Sequence, residues 1–393
     1  MAILNRINYD LTFMRLYEFE GSDLFRREGI PYPDYVLAAS PKEARDKAQE
    51  LGLPVVIKAQ VLTGGRWLAG GVHTAESPDQ VENVAQRILG LSIGGSPVHG
   101  IMVTRKVETA REFYLGVSLD EYSGMPVVIL STDGGVSIND AVRDRPESVA
   151  VRHVPISTGL SLSEAKQMAR EVRLSGKELG QIASILHSLY NVFRKYDALL
   201  AEINPLVQTI QGDYLALDSK VEIDDSSLYR HTDLNLVSED HIFNPLELKG
   251  RQLGLTYVEL DGDIAVISSG AGLGLATIDI ISQRMRPANF LETGGAITAD
   301  LLYNVMGLVL RKEGVRAVFI NIYGGINPIH EGAEGVVRYI QEHNITIPIV
   351  AKALGNHQEE TWEIFRKHGV NVVTDASTEK AVEQLFKLLE GER

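Results

Sequence analysis

The chain contains no cysteine among its 393 residues, which excludes disulfides, thiolate chemistry and Cys-ligated zinc or iron–sulfur centres. It has no basic surplus either. A net charge of −14 argues against nucleic acid or an anionic membrane as the main partner, because no excess of cations exists to meet their phosphates. A local basic pocket for a nucleotide is still allowed. No apolar run reaches the roughly 20 residues that cross a bilayer, and no signal-peptide pattern opens the chain, so the expected place is the cytoplasm. Also missing are the P-loop pattern Gly-x4-Gly-Lys-Ser/Thr and any His-x3-His ligand pair, and no Ser/His/Asp constellation is expected.

What is there is ordinary for a folded protein, 44% hydrophobic and 23% charged, and long enough for two or more domains with real cores. Residues 1–13 read as a leader of unassigned role before the helical pattern Arg15–Arg27. Ser40-Pro41-Lys42-Glu43 is a capping signature that opens a helix to about Leu51. Leu53–Gln60, Ile101–Arg105, Glu112–Leu119 and Pro126–Thr132 read as strands, and Ser161–Lys195 as helical. The polar stretch His231–Arg251 places a domain boundary near residue 240. Beyond it, Asp263–Ser268, Ala317–Ile322, Ile347–Ala353 and Val370–Val373 alternate with helical segments, the pattern of a doubly wound parallel sheet.

A β-hairpin carries the most chemistry. Its arms, Ala198–Ile210 and Tyr214–Val221, converge on the turn Gln211-Gly212-Asp213. With a three-residue turn, Asn204 lies opposite Lys220 and diagonal to Asp218, with Glu202 on the same face. Oxygen ligands converging on one sheet face suit Mg²⁺; an ordinary solvated polar face is the other reading.

Lys58 interrupts the apolar strand Val55-Val56-Ile57-Lys58-Ala59-Gln60, where an ammonium is costly unless it meets an anion. Just beyond, Gly64-Gly65-Arg66 could wrap phosphates with backbone N–H groups and a guanidinium. A snorkelling lysine beside a tight loop is the alternative. A phosphate clamp joined to a Mg²⁺ hairpin gives the two parts that a nucleoside-triphosphate enzyme needs.

The second half has three glycine-rich turns: Ser268–Gly274 before a helix at Leu275–Ile281, Glu292-Thr293-Gly294-Gly295, and Tyr323-Gly324-Gly325-Ile326-Asn327-Pro328. In the last, Asn327 is expected as N-cap and Pro328 as the first helical residue. Helix starts on that edge of a parallel sheet face ligands. His330, in the first turn, is the only histidine near such an anion site, and a surface helix position competes with a phosphate-binding role.

These residues together resemble one family. Val56-Ile57-Lys58, Gly64-Gly65-Arg66, Ala69-Gly70-Gly71-Val72, Ser131–Val136, Glu202-Ile203-Asn204-Pro205-Leu206, Pro287–Leu291 and Asn321–Ile326 are similar, in collinear order, to β subunits of succinate–CoA ligase, from about Met14 to the C-terminus. The resemblance implies an α/β chain: an ATP-grasp domain over 14–240, then a flavodoxin-like domain over 241–393. It implies that Lys58, Gly65, Arg66 and Trp67 hold the phosphates of ATP or GTP, that Glu112 and Thr104 stand at nucleotide-contacting positions, and that Asn204 and Asp218 bind Mg²⁺. Glu202 would steady a phosphohistidine; Ser269, Gly325, Ile326 and Asn327 would border a small carboxylic acid. The family's histidine and CoA site belong to a separate α subunit, so this chain alone would be half an enzyme. The resemblance also marks departures. Asn327-Pro328-Ile329-His330 replaces Val-Arg-Cys-Asp, Lys352-Ala353-Leu354-Gly355 replaces Arg-Leu-Glu-Gly, Trp67-Leu68 replaces Gly-Lys, Ser269 replaces asparagine and Thr104 replaces glutamate. The implied acid is therefore succinate or a relative such as malate, another dicarboxylate or a sulfonated acid. Two other functions fit the same motifs: a nucleotide-sensing or assembly subunit without catalysis, and an ATP-grasp ligase joining an acid to an amine.

Overall fold

The computed structural model describes residues 13–391 except 121 and 296; the expected leader thus lies outside the described residues, apart from Phe13. Two compact units divide the chain, Phe13–His241 and a second from Ile242 onward.

The first unit is built on two antiparallel sheets. The larger runs in the order Phe13–Arg15, Lys220–Asp224, Ala198–Thr209, Thr109–Asp120, Met125–Ser131, Val149–His153, with Tyr214–Ala216 also paired to Ala198–Thr209. The smaller runs Tyr35–Ala38, Gly100–Arg105, Val55–Gln60, Val72–Ala75. Helices Pro41–Leu51 and Pro78–Leu89 cover the smaller sheet, each opened by a serine cap and a proline at the first turn. Helices Leu162–Glu171 and Gly176–Lys195 back the larger one through a core that includes Leu115, Met168, Leu186 and Ile203. The single helical region expected over 161–195 is broken where Arg173 takes a left-handed φ of 63°.

Two other expectations are corrected. Residues 13–15 form an edge strand, paired Arg15↔Glu222, which buries Met14 in the core; the helix starts only at Glu18. Edge pairing satisfies backbone groups that helical periodicity alone leaves open. The hairpin turn also lies one residue earlier in the chain than expected, at the same length. Gln208 pairs with Tyr214, Thr209 N donates to Asp213 O, and the turn is Ile210-Gln211-Gly212. Lys220 therefore faces Glu202, not Asn204. The shift is even in register, so it preserves faces and carries Asn204 directly toward Asp218.

The second unit is a six-stranded sheet in the order Thr256–Glu259, Asn289–Glu292, Ile264–Ser268, Ala317–Gly324, Ile349–Gly355, Asn371–Val372. The first pair is antiparallel and the rest parallel. Leaving out that antiparallel edge, the order is 2-1-3-4-5, the flavodoxin-like winding. Helices Ala299–Val309, Ile329–His343 and Gln358–Lys367 cover one face, and Ala271–Ser282 and Thr378–Gly391 the other. The direction of winding reverses between Ile264–Ser268 and Ala317–Gly324, so the loops after those strands form the crevice where such sheets hold ligands. Among the described residues no helix is long and apolar enough to cross a membrane.

Candidate functional site

Between the two sheets of the first unit lies a cleft of about 830 Å³, within the range of small-molecule sites. Lys58, Gly65, Arg66, Trp67, Thr104 and Glu112 all line it, as do Asn204 and Asp218. Sequence segments more than 100 residues apart thus meet in one cleft.

The floor of the cleft is an ion-pair network with an unexpected centre, Glu18. Its buried carboxylate accepts Lys58 Nζ at 2.6 Å, Arg66 Nη1 at 2.5 Å and the Tyr32 hydroxyl at 2.5 Å. Arg66 spends its other nitrogen on Asp218 Oδ1 at 2.6 Å and also donates to Ala59 O at 3.1 Å. Lys58 Nζ donates in addition to the carbonyl of Leu217. Burial alone would push the Glu18 carboxyl up; the Arg66 and Lys58 cations beside it overcome this and hold it at about 2. Asp218 is pushed the other way, up by burial and by the Glu18 charge, against the pull of Arg66.

Sequence reasoning passed over Glu18 because it sits in an acidic helix start, Glu18-Phe19-Glu20, where carboxylates are routine. The available signal was Lys58: a lysine inside an apolar strand demands a buried anion. The linkage is definite in sign. Glu18 has a folded value below its ordinary one of 4.5, so its stabilisation is fully present above that pH and is lost as the pH falls toward about 2. Unfolding free energy measured between pH 5 and 2 should fall more steeply for the wild type than for Glu18→Gln; equal slopes would contradict the assignment.

The remaining positions are less concentrated. Asn204 is tied to the Gly134-Gly135-Val136 turn, accepting from Gly135 N at 2.8 Å and donating to Val136 O at 3.2 Å. That turn is closed against its neighbours: a Cβ on Gly134 would stand 2.5 Å from Phe113 N, and one on Gly135 2.3 Å from Glu112 Oε2. Thr104 spends its hydroxyl on Asp34 O at 3.0 Å. Glu202 does not line the cleft; Tyr114 donates to it at 3.3 Å, and burial raises its carboxyl.

In the second unit Ser269 sits at the point of reversal, its hydroxyl accepting from Tyr323 N at 2.8 Å and facing Tyr323 O at 3.2 Å. The glycine-rich turn that contains it is shorter than expected, since the helix already begins at Ala271 and takes Gly272 and Gly274 into its first turn. Asn327 does not cap the next helix. Pro328 holds that place, the helix starts at Ile329, and the loop is fastened to its neighbour by Asn356 N to Gly324 O at 2.8 Å and Asn356 Nδ2 to Ile326 O at 3.0 Å. Asn327 instead faces the Gly294-Gly295 turn, where a Cβ on Gly295 would lie 3.8 Å from its Nδ2, and Ile326 is 90% exposed.

His330, His357 and Glu360 bring chelating atoms within 4.8 Å of one another beside this loop. His357 Nδ1 meets Glu360 Oε2 at 2.9 Å across the start of helix Gln358–Lys367. His330 Nδ1 is buried without a partner among the described residues. An ion on its Nε2 would force the ring proton onto that partnerless nitrogen, so the trio reads as a helix-end contact. A nucleophile elbow is excluded by its structural context. Gly90-Leu91-Ser92-Ile93-Gly94 has the Gly-x-Ser-x-Gly spacing of such an elbow but runs from a helix into a two-residue strand rather than from strand to helix.

The chain also has known relatives. Residues 15–208 match the ATP-grasp domain family and residues 267–386 the CoA-ligase family. The β subunit of the GDP-forming succinate–CoA ligase of Thermus thermophilus is 40% identical over 353 residues, 90% of this chain and 93% of that protein. Its ADP-forming counterpart from Ignicoccus hospitalis is 35% identical over 376 residues, 95% of this chain and 99% of that protein. Among solved structures, ATP citrate lyase from Methanothrix soehngenii, in complex with citrate and coenzyme A, has a TM-score of 0.75 at 16% identity, covering 95% of this chain and 100% of that one. That likeness speaks for the fold, an ATP-grasp unit followed by a CoA-ligase unit. By the extent and identity of these matches, the chain belongs to the family of succinate–CoA ligase β subunits.

Proposed function

We propose that this chain is the nucleotide-binding β subunit of an NDP-forming carboxylic acid–CoA ligase, acting with an α subunit that brings the CoA site and a phosphorylatable histidine. The observation that carries the reading is the single cleft in which two cations, Lys58 and Arg66, meet two oxygen donors, Asn204 and Asp218. Those donors suit Mg²⁺. Asp218 Oδ1 takes the bonds from Arg66 and Ser219 N, and its other oxygen accepts none from the described residues; Asn204 adds an amide oxygen. Bound there, Mg²⁺ would neutralise charge on the β- and γ-phosphates. Lys58, Arg66 and the Gly65 backbone would hold the phosphates, with Trp67 over them and Glu112 and Thr104 toward the rest of the nucleotide. Glu202 would steady the partner's phosphohistidine.

In the second unit Ser269, Gly325, Ile326 and Asn327 would border the acid, whose carboxylate is favoured by the N–H groups at the start of helix Ile329–His343. No arginine stands at that helix start, and Lys352 is buried against Asn321. The acid is therefore succinate or a related small acid. Asn327→Val with Pro328→Arg should raise kcat/KM for succinate relative to other acids by roughly tenfold or more, the worth of one charge-assisted bond; unchanged ratios across an acid panel would remove this loop from specificity.

The direct test is transfer of label from [γ-³²P]ATP or GTP to the α subunit. Acid-labile, base-stable label on a histidine is expected. Nucleotide binding without label would favour a sensing subunit, and acyl transfer to an amine by this chain alone would favour an acid–amine ligase.

A further inference from the structure

Resting on the nucleotide-site reading, we infer that Glu18 is the positioning residue of the phosphate clamp, a fixed buried anion that aims both Lys58 and Arg66, while Asp218 is the exchangeable partner of Arg66.

The geometry separates the two carboxylates. Glu18 has 1% of its side chain exposed, whereas Asp218 has 37% and faces the cleft. Glu18 binds both cations and Tyr32, donors from the smaller sheet, the glycine-rich loop and the segment before Tyr35–Ala38. Asp218 binds only one of them, Arg66, through one oxygen. An incoming phosphate or Mg²⁺ can reach Asp218 and release the Arg66 Nη2, whereas the Glu18 carboxylate, 1% exposed, is covered by its three donors. Arg66 then remains held through Nη1 on Glu18 and Ala59 O, with Nη2 free for a phosphate oxygen. The charges agree with this exchange. Two cations and two carboxylates balance to zero as they stand, and committing Asp218 to a metal leaves the clamp with a surplus positive charge for the nucleotide.

Glu18 is itself immobilised. Its backbone carbonyl accepts Ser219 Oγ at 2.7 Å, beside Asp218 in sequence. One turn along the same helix, a Cβ on Gly21 would stand 2.8 Å from that Oγ, so the helix sits against the Leu217-Asp218-Ser219 turn as closely as backbone allows. Clamp and metal ligand are thereby registered to each other through one helix start, where a carboxylate is also favoured by the helix dipole.

The test uses the chain with its α subunit, comparing wild type with Glu18→Gln, Glu18→Asp and Tyr32→Phe. Binding of a fluorescent ATP or GTP analogue by the wild type is measured first; absence of binding there overturns the nucleotide-site reading itself. Given binding, Glu18→Gln should raise the nucleotide KM by roughly 10- to 100-fold and lower kcat, with KM for acid and CoA unmoved, as expected of misaimed donors. Glu18→Asp should restore part of the loss. Nucleotide KM and kcat unchanged in folded Glu18→Gln would overturn the inference and leave the nucleotide site standing. Should Glu18→Gln fail to fold, Tyr32→Phe decides: it keeps every charge but removes one bond to Glu18, and a several-fold rise in nucleotide KM supports the inference while none overturns it.

Discussion

Asp218→Ala is expected to lower Mg²⁺-nucleotide turnover by roughly 10³-fold or more while leaving the chain folded, since a charged group is lost where charge must be neutralised. The side chain sits at the cleft surface and makes two bonds, one from Arg66 and one from its neighbour Ser219 N, so its removal opens no core cavity. Its loss also leaves Arg66 Nη2 without a carboxylate, which on the proposed reading should favour a phosphate in the ground state while taking away the proposed anionic ligand of the metal. The nucleotide should therefore still bind in the absence of Mg²⁺, and Mg²⁺ should no longer tighten it. Asp218→Asn, which keeps shape without charge, should fall between. Mg²⁺ titrations of turnover and of nucleotide binding check this, and wild-type Mg²⁺ dependence in Asp218→Ala would take the hairpin out of the metal site.

Arg66→Met should act on stability and binding together. The guanidinium is buried and bonded to Glu18, Asp218 and Ala59 O. Burial opposes its charge, but the Asp218 and Glu18 carboxylates outweigh this and raise its pKa, so it is a cation at every accessible pH. Methionine fills the stem volume yet leaves the buried Glu18 carboxylate with a single cation. Breaking one arm of such a buried pair costs about 3 kcal/mol, or roughly 10 °C in the melting of a unit this size. On the proposed reading the same variant also lacks a phosphate donor, so Mg²⁺-nucleotide should raise the wild-type melting temperature and move that of Arg66→Met little. Scans with and without nucleotide read both effects, and a wild-type melting curve with a wild-type ligand shift would contradict the network.

Much of this arrangement is legible in the sequence. The apolar run around Lys58 and the Gly64-Gly65-Arg66 turn carry their own physics, as do the serine caps at Ser40 and the alternating strands and helices beyond residue 260. The hairpin was legible in face but not in register, because Thr209 closes the turn through its own backbone and hydroxyl, and nothing local announces that choice. Asn327 looked like a cap because cap propensity is local; the tie from Asn356 to Gly324 and Ile326, which positions the loop, comes from 30 residues away. Strand Phe13–Arg15 escaped for the same reason, its partner lying at Lys220–Asp224. Glu18 was the largest omission. A carboxylate at a helix start has a sufficient local explanation, and only the convergence of distant segments shows that it binds Lys58, Arg66 and Tyr32.

The central claim, that this cleft drives carboxylate–CoA bond formation, is tested most directly by thioester formation. The purified chain and its α subunit are supplied with Mg²⁺, CoA, ATP or GTP, and a panel of small acids including succinate, malate and a sulfonated acid. The account predicts acid-dependent acyl-CoA with stoichiometric release of NDP and phosphate, strongest for one small acid. No thioester from any of these acids with either nucleotide would contradict it.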